Sequence, residues 1–243
     1  MNKININKLI SIILILVVIV CSLKLFYKDF SHYKDRKNYS EFKEIKQAAT
    51  VTPPKKTDKM EDSKENKLKA INSDYKLWIN IPNTDIDYPV VQGKDNDFYL
   101  HKNFNKQKSE SGTIFIDYRN DMNLDTEKNI VFYGHHMKDG TMFNQINKYK
   151  NVENIKSGII KIVKDDKEYM YEIFSVFVLD EKKDNLKIKF TSTKDYANYI
   201  QFLKEKSIYK KVIEGNDYNN IITLYTCSYE FTNAKTIVCA VLK

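Results

Sequence analysis

Glycine and proline are scarce in this chain of 243 residues, with six of the first and four of the second. That excludes a collagen-like or glycine-linker character, while an aromatic content of 13% calls for a packed core. Cysteine is scarcer still: Cys21, Cys227 and Cys239. Cys21 lies in an apolar N-terminal run, so only two remain for the rest of the chain, and no disulfide framework is possible. A domain of this size buries enough core to stand without disulfides, so their shortage does not exclude an extracellular location. A basic excess is also missing where nucleic-acid binding would need it. Residues 1–70 hold 15 Lys+Arg against 8 Asp+Glu, whereas residues 71–243 hold 25 against 24. Of the formal charge of +8, +7 therefore belongs to the N-terminal part, where anionic lipid or wall polymer is the natural partner, and nucleic acid is not expected. No internal repeat is present.

What is there begins with an uncharged run of fifteen residues, 9–23, almost all Ile, Leu and Val. As a helix it spans about 22 Å, short of the roughly 30 Å hydrocarbon core. Lys8 and Lys24 can snorkel, and Ile4, Ile6, Leu25, Phe26 and Tyr27 extend the apolar surface, so residues 4–27 cross with some tilt. A cleaved signal peptide is disfavoured, because Lys24-Leu25-Phe26 follows the run instead of a small-x-small site. Positive charges crowd the C-terminal flank and would place it in the cytoplasm, but long domains translocate largely regardless of such charge, so sidedness stays open. Residues 28–47 have helix-compatible spacing, and residues 48–66, with Pro53-Pro54 and dense charge, read as an extended linker. The expected organisation is a membrane anchor at 1–27, a helical and extended polar spacer at 28–67, and a folded domain at 68–243.

Within that domain, strand patterns recur at 75–81, 88–92, 112–117, 129–133, 159–163, 169–179, 220–226 and 236–242. Lys164-Asp165-Asp166-Lys167 has the composition of a hairpin turn, and Thr193 is placed to cap a helix with Tyr196, Ile200 and Leu203 on its apolar face. About eight short strands with a few short helices point to a mainly β fold, a closed β-barrel.

Two strands end in reactive groups. The segment 219–226 carries β-branched and apolar residues on both faces from Ile221 onward and breaks at Cys227 into a polar run. A rigid strand would hold that thiol at a cleft edge, where a neighbour can activate it, although most free cysteines are only small buried hydrophobes. Residues 129–133 lead in the same way through Gly134, which permits a turn, to His135 and His136. A histidine there can act as general base and acid, though a histidine after a strand is more often an ordinary surface residue. Lys235 opens the last strand eight residues beyond Cys227 and can aim a cation at a developing oxyanion if the two strands pair. Cys239 would then sit about 13 Å further along, too far for a disulfide with Cys227 and so in the core.

Thr223-Leu224-Tyr225-Thr226-Cys227, Tyr133-Gly134-His135 and Asp117-Tyr118-Arg119-Asn120 together resemble a sortase, specifically of class B, and the resemblance runs from about Tyr75 to Leu242. It implies a membrane-anchored cysteine transpeptidase of Gram-positive bacteria, with an eight-stranded sortase-type barrel outside the cell behind a single N-terminal transmembrane helix. It implies further that Cys227 attacks the carbonyl after the threonine of a C-terminal sorting signal, forming a thioacyl enzyme. His135 would protonate the departing amine and then help activate an amine of a peptidoglycan precursor. Thr226 and Ser228 would meet the substrate, the latter through a backbone N–H at the oxyanion; His136 has no implied role. No cofactor is implied.

One departure matters: the family has arginine where Lys235 stands. A single flexible ammonium does not replace a planar fork, so weakened activity is expected. Arg119 is read as structural. Two rival readings follow, a cysteine peptidase that releases product to water and a surface module that binds sorting signals but turns them over poorly. A metal site is not expected. His101, His135, His136 and Cys227 lack ligand spacing, and Asp95-Asn96-Asp97 has Tyr99 where a calcium ligand belongs.

Overall fold

The computed structural model describes residues 6–48, 64–156, 158–213, 215 and 218–243, and most of the expected linker at 48–66 lies outside them. Two compact units are present, Met1–Glu41 and Phe42–Lys243. The first is formed by most of helix α1 (Ile6–Ala48). Its apolar stretch, from Leu9 through Val18 to Leu25, is exposed along its length, and α1 is long and apolar enough to cross a membrane. No Gly or Pro interrupts residues 28–47, so the helix runs on through the charged segment without a break.

The second unit opens with the last turns of α1, where the Phe42 ring lies 4.8 Å from that of Phe104 and Lys46 Nζ is 3.0 Å from Asp87 Oδ1. Helix α2 (Lys64–Ile71) buries Leu68, and its Glu65 accepts the Asp165 N–H at 2.6 Å. Lys64–Asn66, expected to be extended, are therefore helical.

Eight strands follow: β1 (Tyr75–Asn80), β2 (Asp87–Val91), β3 (Phe115–Ile116), β4 (Asn129–Tyr133), β5 (Ile159–Lys164), β6 (Lys167–Asp180), β7 (Ile221–Cys227) and β8 (Ala234–Leu242). They close into a barrel in the order β1-β2-β3-β4-β7-β8-β6-β5. The β2–β3 and β4–β7 pairs are parallel and the others antiparallel. The expected closed barrel is thus present, with two local differences. β3 is two residues long rather than six, because Gly112 turns at φ +59° with its backbone packed on the carbonyls of Tyr99 and Leu100. β3 meets β2 only at Val91↔Phe115, which leaves Pro89 on a stretch with a neighbour on one side, where its missing N–H costs no ladder bond.

Asp165 and Asp166 both take positive φ, +50° and +57°, the geometry of a two-residue hairpin turn that matches the twist of β5 and β6. Helix α3 (Val152–Lys156) precedes β5. Helix α4 (Thr193–Lys206) is capped one residue earlier than expected: Ser192 Oγ accepts the Asp195 N–H at 3.1 Å. Its Tyr196, Tyr199, Ile200 and Leu203 pack on Phe174, Phe177 and Ile237 outside the barrel, while Leu77, Ile79, Phe132, Ile162 and Val238 are among the residues wholly shielded within the sheet.

Gly134 ends β4 for a steric reason. A Cβ there would lie 2.7 Å from Phe143 Cδ2 and 3.3 Å from Ile114. Gly134→Ala is expected to cost about 1–3 kcal/mol by overpacking, read as a melting temperature lowered by roughly 3–10 °C.

Candidate active site

The site follows from the parallel pairing of β4 with β7. β4 and β7 lie side by side in register from Asn129↔Ile221 to Tyr133↔Tyr225, so their C-terminal ends emerge at the same barrel edge. Both are apolar on nearly every position, as strands buried on both faces must be. Beyond the pairing, the Gly134 N–H donates to Tyr225 O at 3.2 Å and Thr226 Oγ1 donates to Gly134 O at 2.7 Å. These two bonds fasten the peptide before His135 to the strand that carries Cys227. The antiparallel neighbour β8 then sets Lys235 opposite Cys227.

Lys235 Nζ lies 3.5 Å from Cys227 Sγ and 3.2 Å from Glu181 Oε2. Burial lowers the ammonium's pKa, but its contacts with Cys227 and Glu181 outweigh this and hold Lys235 above the ordinary lysine value. The side chain is thus a fixed cation beside the thiol at neutral pH. His135 Nε2 is 2.8 Å from Leu100 O. A carbonyl only accepts, so Nε2 carries the proton, and a neutral ring leaves Nδ1 free to accept one. Among the described residues no hydrogen bond joins His135 to Cys227. The three side chains line one groove of about 750 Å³, walled by Tyr133, Tyr225, Asn96 and Arg119 among others.

Arg119 lines the groove, and buried Asp117 holds it. The guanidinium holds Asp117 through Nε–Oδ1 at 2.9 Å and an Nη–Oδ2 contact at 2.8 Å, and Asn96 and Tyr133 add bonds of 2.8 and 3.0 Å to the same carboxylate. Burial alone would raise the Asp117 pKa; this set of donors, Arg119 foremost, brings it below the usual aspartate value. Asp95 Oδ1 accepts the N–H groups of Asp97 and Phe98, so Asp95-Asn96-Asp97 forms a turn that presents Asn96 to Asp117.

Behind the nucleophile lies a second set of contacts, invisible in the sequence. His136 Nδ1 donates to the Cys227 carbonyl at 2.9 Å, its ring packed at 4.9 Å against Tyr229. A 3-10 turn, Asn144–Lys150, supplies Asn147, whose Oδ1 accepts from Thr236 Oγ1 at 2.6 Å, and Lys150, whose ammonium binds Ser228 Oγ at 2.6 Å and also Glu230. Although burial raises the Glu230 pKa, Lys150 and Ser228 lower it to about 2.

Of the expected site residues, Cys227, His135 and Lys235 come together. The Thr226 side chain is buried and donates to Gly134 O, fixing the two strands, while the residue also lines the groove. Ser228 differs from expectation. The Ser228 N–H donates to Ala234 O at 2.9 Å, extending the β7–β8 ladder, and so points away from the groove. Cys239 is in the core as expected: fully buried, 3.7 Å from Thr223 Oγ1, its thiol pushed up to about 12 by burial. Glu181 and His136 were missed. Glu181 stands 54 residues before Lys235 in sequence, and only the β6–β8 pairing brings them together.

The sortase domain model matches residues 79–243. The chain is 37% identical over 171 residues to a sortase B of Listeria monocytogenes, an alignment covering 67% of this chain and 66% of that protein. It is 28% identical over 235 residues to a sortase B of Staphylococcus aureus, covering 96% and 94%. The crystal structure of Clostridium perfringens sortase B superimposes with a TM-score of 0.70 at 44% identity, over 74% of this chain and 99% of that one.

Proposed function

The chain belongs to the sortase family as a class B sortase, a cysteine transpeptidase of cell-wall sorting, and from that premise we propose how its residues work and what they act on. The substrate is a C-terminal sorting signal of a secreted protein, cleaved after threonine, and the acceptor is an amine of a peptidoglycan precursor. The apolar run at residues 4–27 anchors the enzyme, residues 28–67 space it from the bilayer, and residues 68–243 catalyse outside the cell, in a single-pass topology.

The observation that carries the mechanism is the fixed Lys235 ammonium 3.5 Å from Cys227 Sγ, in a groove that His135 also lines. The Cys227 proton passes to His135 Nδ1 as sulfur adds to the carbonyl carbon after threonine. The carbonyl oxygen takes the negative charge beside Lys235. The C–N bond then breaks, the leaving amine takes the proton from His135, and a thioester to Cys227 remains. An incoming amine loses its proton to His135, attacks the thioester and releases the thiolate. Arg119, held by Asp117, shapes the groove without entering the chemistry.

Product partition tests this reading against hydrolysis. Full-length protein in detergent, given a pool of peptides with threonine fixed and flanking positions varied, is expected to give amine-ligated product when an amine such as triglycine is added. Release of acid in unchanged yield at every amine concentration would make it a peptidase instead.

The contact behind the nucleophile has its own consequence. His136→Ala is expected to slow thioacyl formation about tenfold by loosening the Cys227 peptide, whereas His136→Gln, which keeps a donor, stays within about threefold. Equal rates for the two variants would assign His136 to packing alone.

A further inference from the structure

Glu181 lies one residue past β6, where Leu179↔Lys235 and Asp180↔Ala234 pair β6 with β8. Both carboxylate oxygens are engaged within the groove. Oε2 is 3.2 Å from Lys235 Nζ, and Oε1 accepts the Tyr225 hydroxyl at 2.6 Å. The ammonium therefore sits between Glu181 and the Cys227 sulfur, 5.6 Å from the centre of the Tyr225 ring. Three neighbouring strands, β6, β7 and β8, each contribute to this chain of contacts.

A lysine at an oxyanion position has a geometric weakness. Its charge rides on a flexible stem with several rotatable bonds, where an arginine presents a rigid fork. A second anchor on the ammonium removes that freedom while leaving further N–H donors for the reacting oxygen. The Glu181 side chain is half exposed, and an exposed ion pair contributes little to folding stability. Its consequence lies in where it holds the cation.

We propose that Glu181 is a positioning residue for the reaction: it anchors the Lys235 ammonium over Cys227, and the Tyr225 hydroxyl fixes Glu181 in turn. The proposal rests on reading Lys235 as the cation that meets the oxyanion. It assigns the arginine-to-lysine departure a partner just beyond the end of the neighbouring strand β6.

The test is a double-mutant cycle on the full chain in detergent. Single-turnover thioacyl formation is followed by intact mass from seconds to a day, with the peptide of the threonine-centred pool that acylates the unmodified protein fastest. Glu181→Ala is expected to lower the maximal acylation rate roughly tenfold, since a displaced oxyanion donor acts more weakly, with the half-saturating peptide concentration changed less than about twofold. In a Lys235→Ala background the same substitution is expected to change the rate less than about twofold. Glu181→Gln, whose amide oxygen still accepts from the Lys235 ammonium while its NH2 can donate to the Tyr225 hydroxyl oxygen, is expected to recover part of the rate. Melting temperatures stay within about 2 °C, as for other exposed substitutions. An equal loss from Glu181→Ala in both backgrounds would mean that Glu181 meets the peptide directly and would overturn the proposal, as would no loss in the unmodified background. Undiminished acylation by Lys235→Ala, or none by the unmodified protein, would instead remove the reading of Lys235 on which the proposal stands.

Discussion

Cys227→Ala is expected to abolish thioacyl formation, and His135→Ala to lower it by about 10²–10⁴-fold, with both barrels folded as before. The structure separates the two roles. Cys227 is the last residue of β7 and half-buried, so removing its sulfur leaves the β7–β8 ladder and the Cys227 carbonyl bond to His136 in place. His135 follows Gly134, and its own carbonyl accepts the Phe143 N–H at 2.9 Å, so the backbone keeps its course when the ring is lost. What disappears is the acceptor for the thiol proton and the donor for the leaving amine. With Nε2 bonded to Leu100 O, Nδ1 is the nitrogen that must do this work. Rates of single-turnover acylation, with circular dichroism as the control for folding, check the pair. A His135→Ala rate within tenfold of the unmodified protein would show that another group moves the proton.

Lys235→Arg is expected to raise turnover by about 10- to 1000-fold. Lys235 can bind Glu181 and face the sulfur only by dividing one ammonium between them. A guanidinium in the same place spans both: one edge of the fork can hold Glu181 while the other offers parallel N–H donors to the oxyanion. The register favours the exchange, because Cys227↔Lys235 already aims the side chain at the nucleophile and the groove beside it is open. The gain should fall on the acylation rate rather than on peptide affinity, since the oxyanion exists only in the transition state. Steady-state kcat and KM for the arginine variant measure this. Unchanged kcat would mean that lysine serves this groove as well as arginine.

How much of this was legible in the sequence depends on the range of the interaction. β4 and β7 were legible because each is apolar on both faces and each stops at a chemically distinct residue; their ends were placed within a residue. The opposition of Cys227 and Lys235 was also legible, since a short polar loop between two strands leaves little choice of register. The contacts that hold Lys235 and Cys227 in place were not. Glu181 reaches Lys235 only through closure of β6 against β8, and His136 reaches the Cys227 carbonyl only through the β4–β7 crossover. Neither has a local pattern. The oxyanion role of the Ser228 N–H was implied by the resemblance alone, and in the structure the ladder runs one bond past Cys227 and consumes it. β3 was overestimated because the compact apolar run through 114–116 reads as a longer strand, whereas the backbone at Gly112 is committed to a turn.

The most direct test is the intact mass of the full-length protein in detergent after mixing with the threonine-centred peptide pool. The predicted result is a mass increase equal to a peptide fragment ending in threonine, absent in Cys227→Ala and discharged by added triglycine as a ligated product. A folded protein whose Cys227 reacts with iodoacetamide yet gains no mass from any peptide would contradict the account and leave a groove that binds sorting signals without cleaving them.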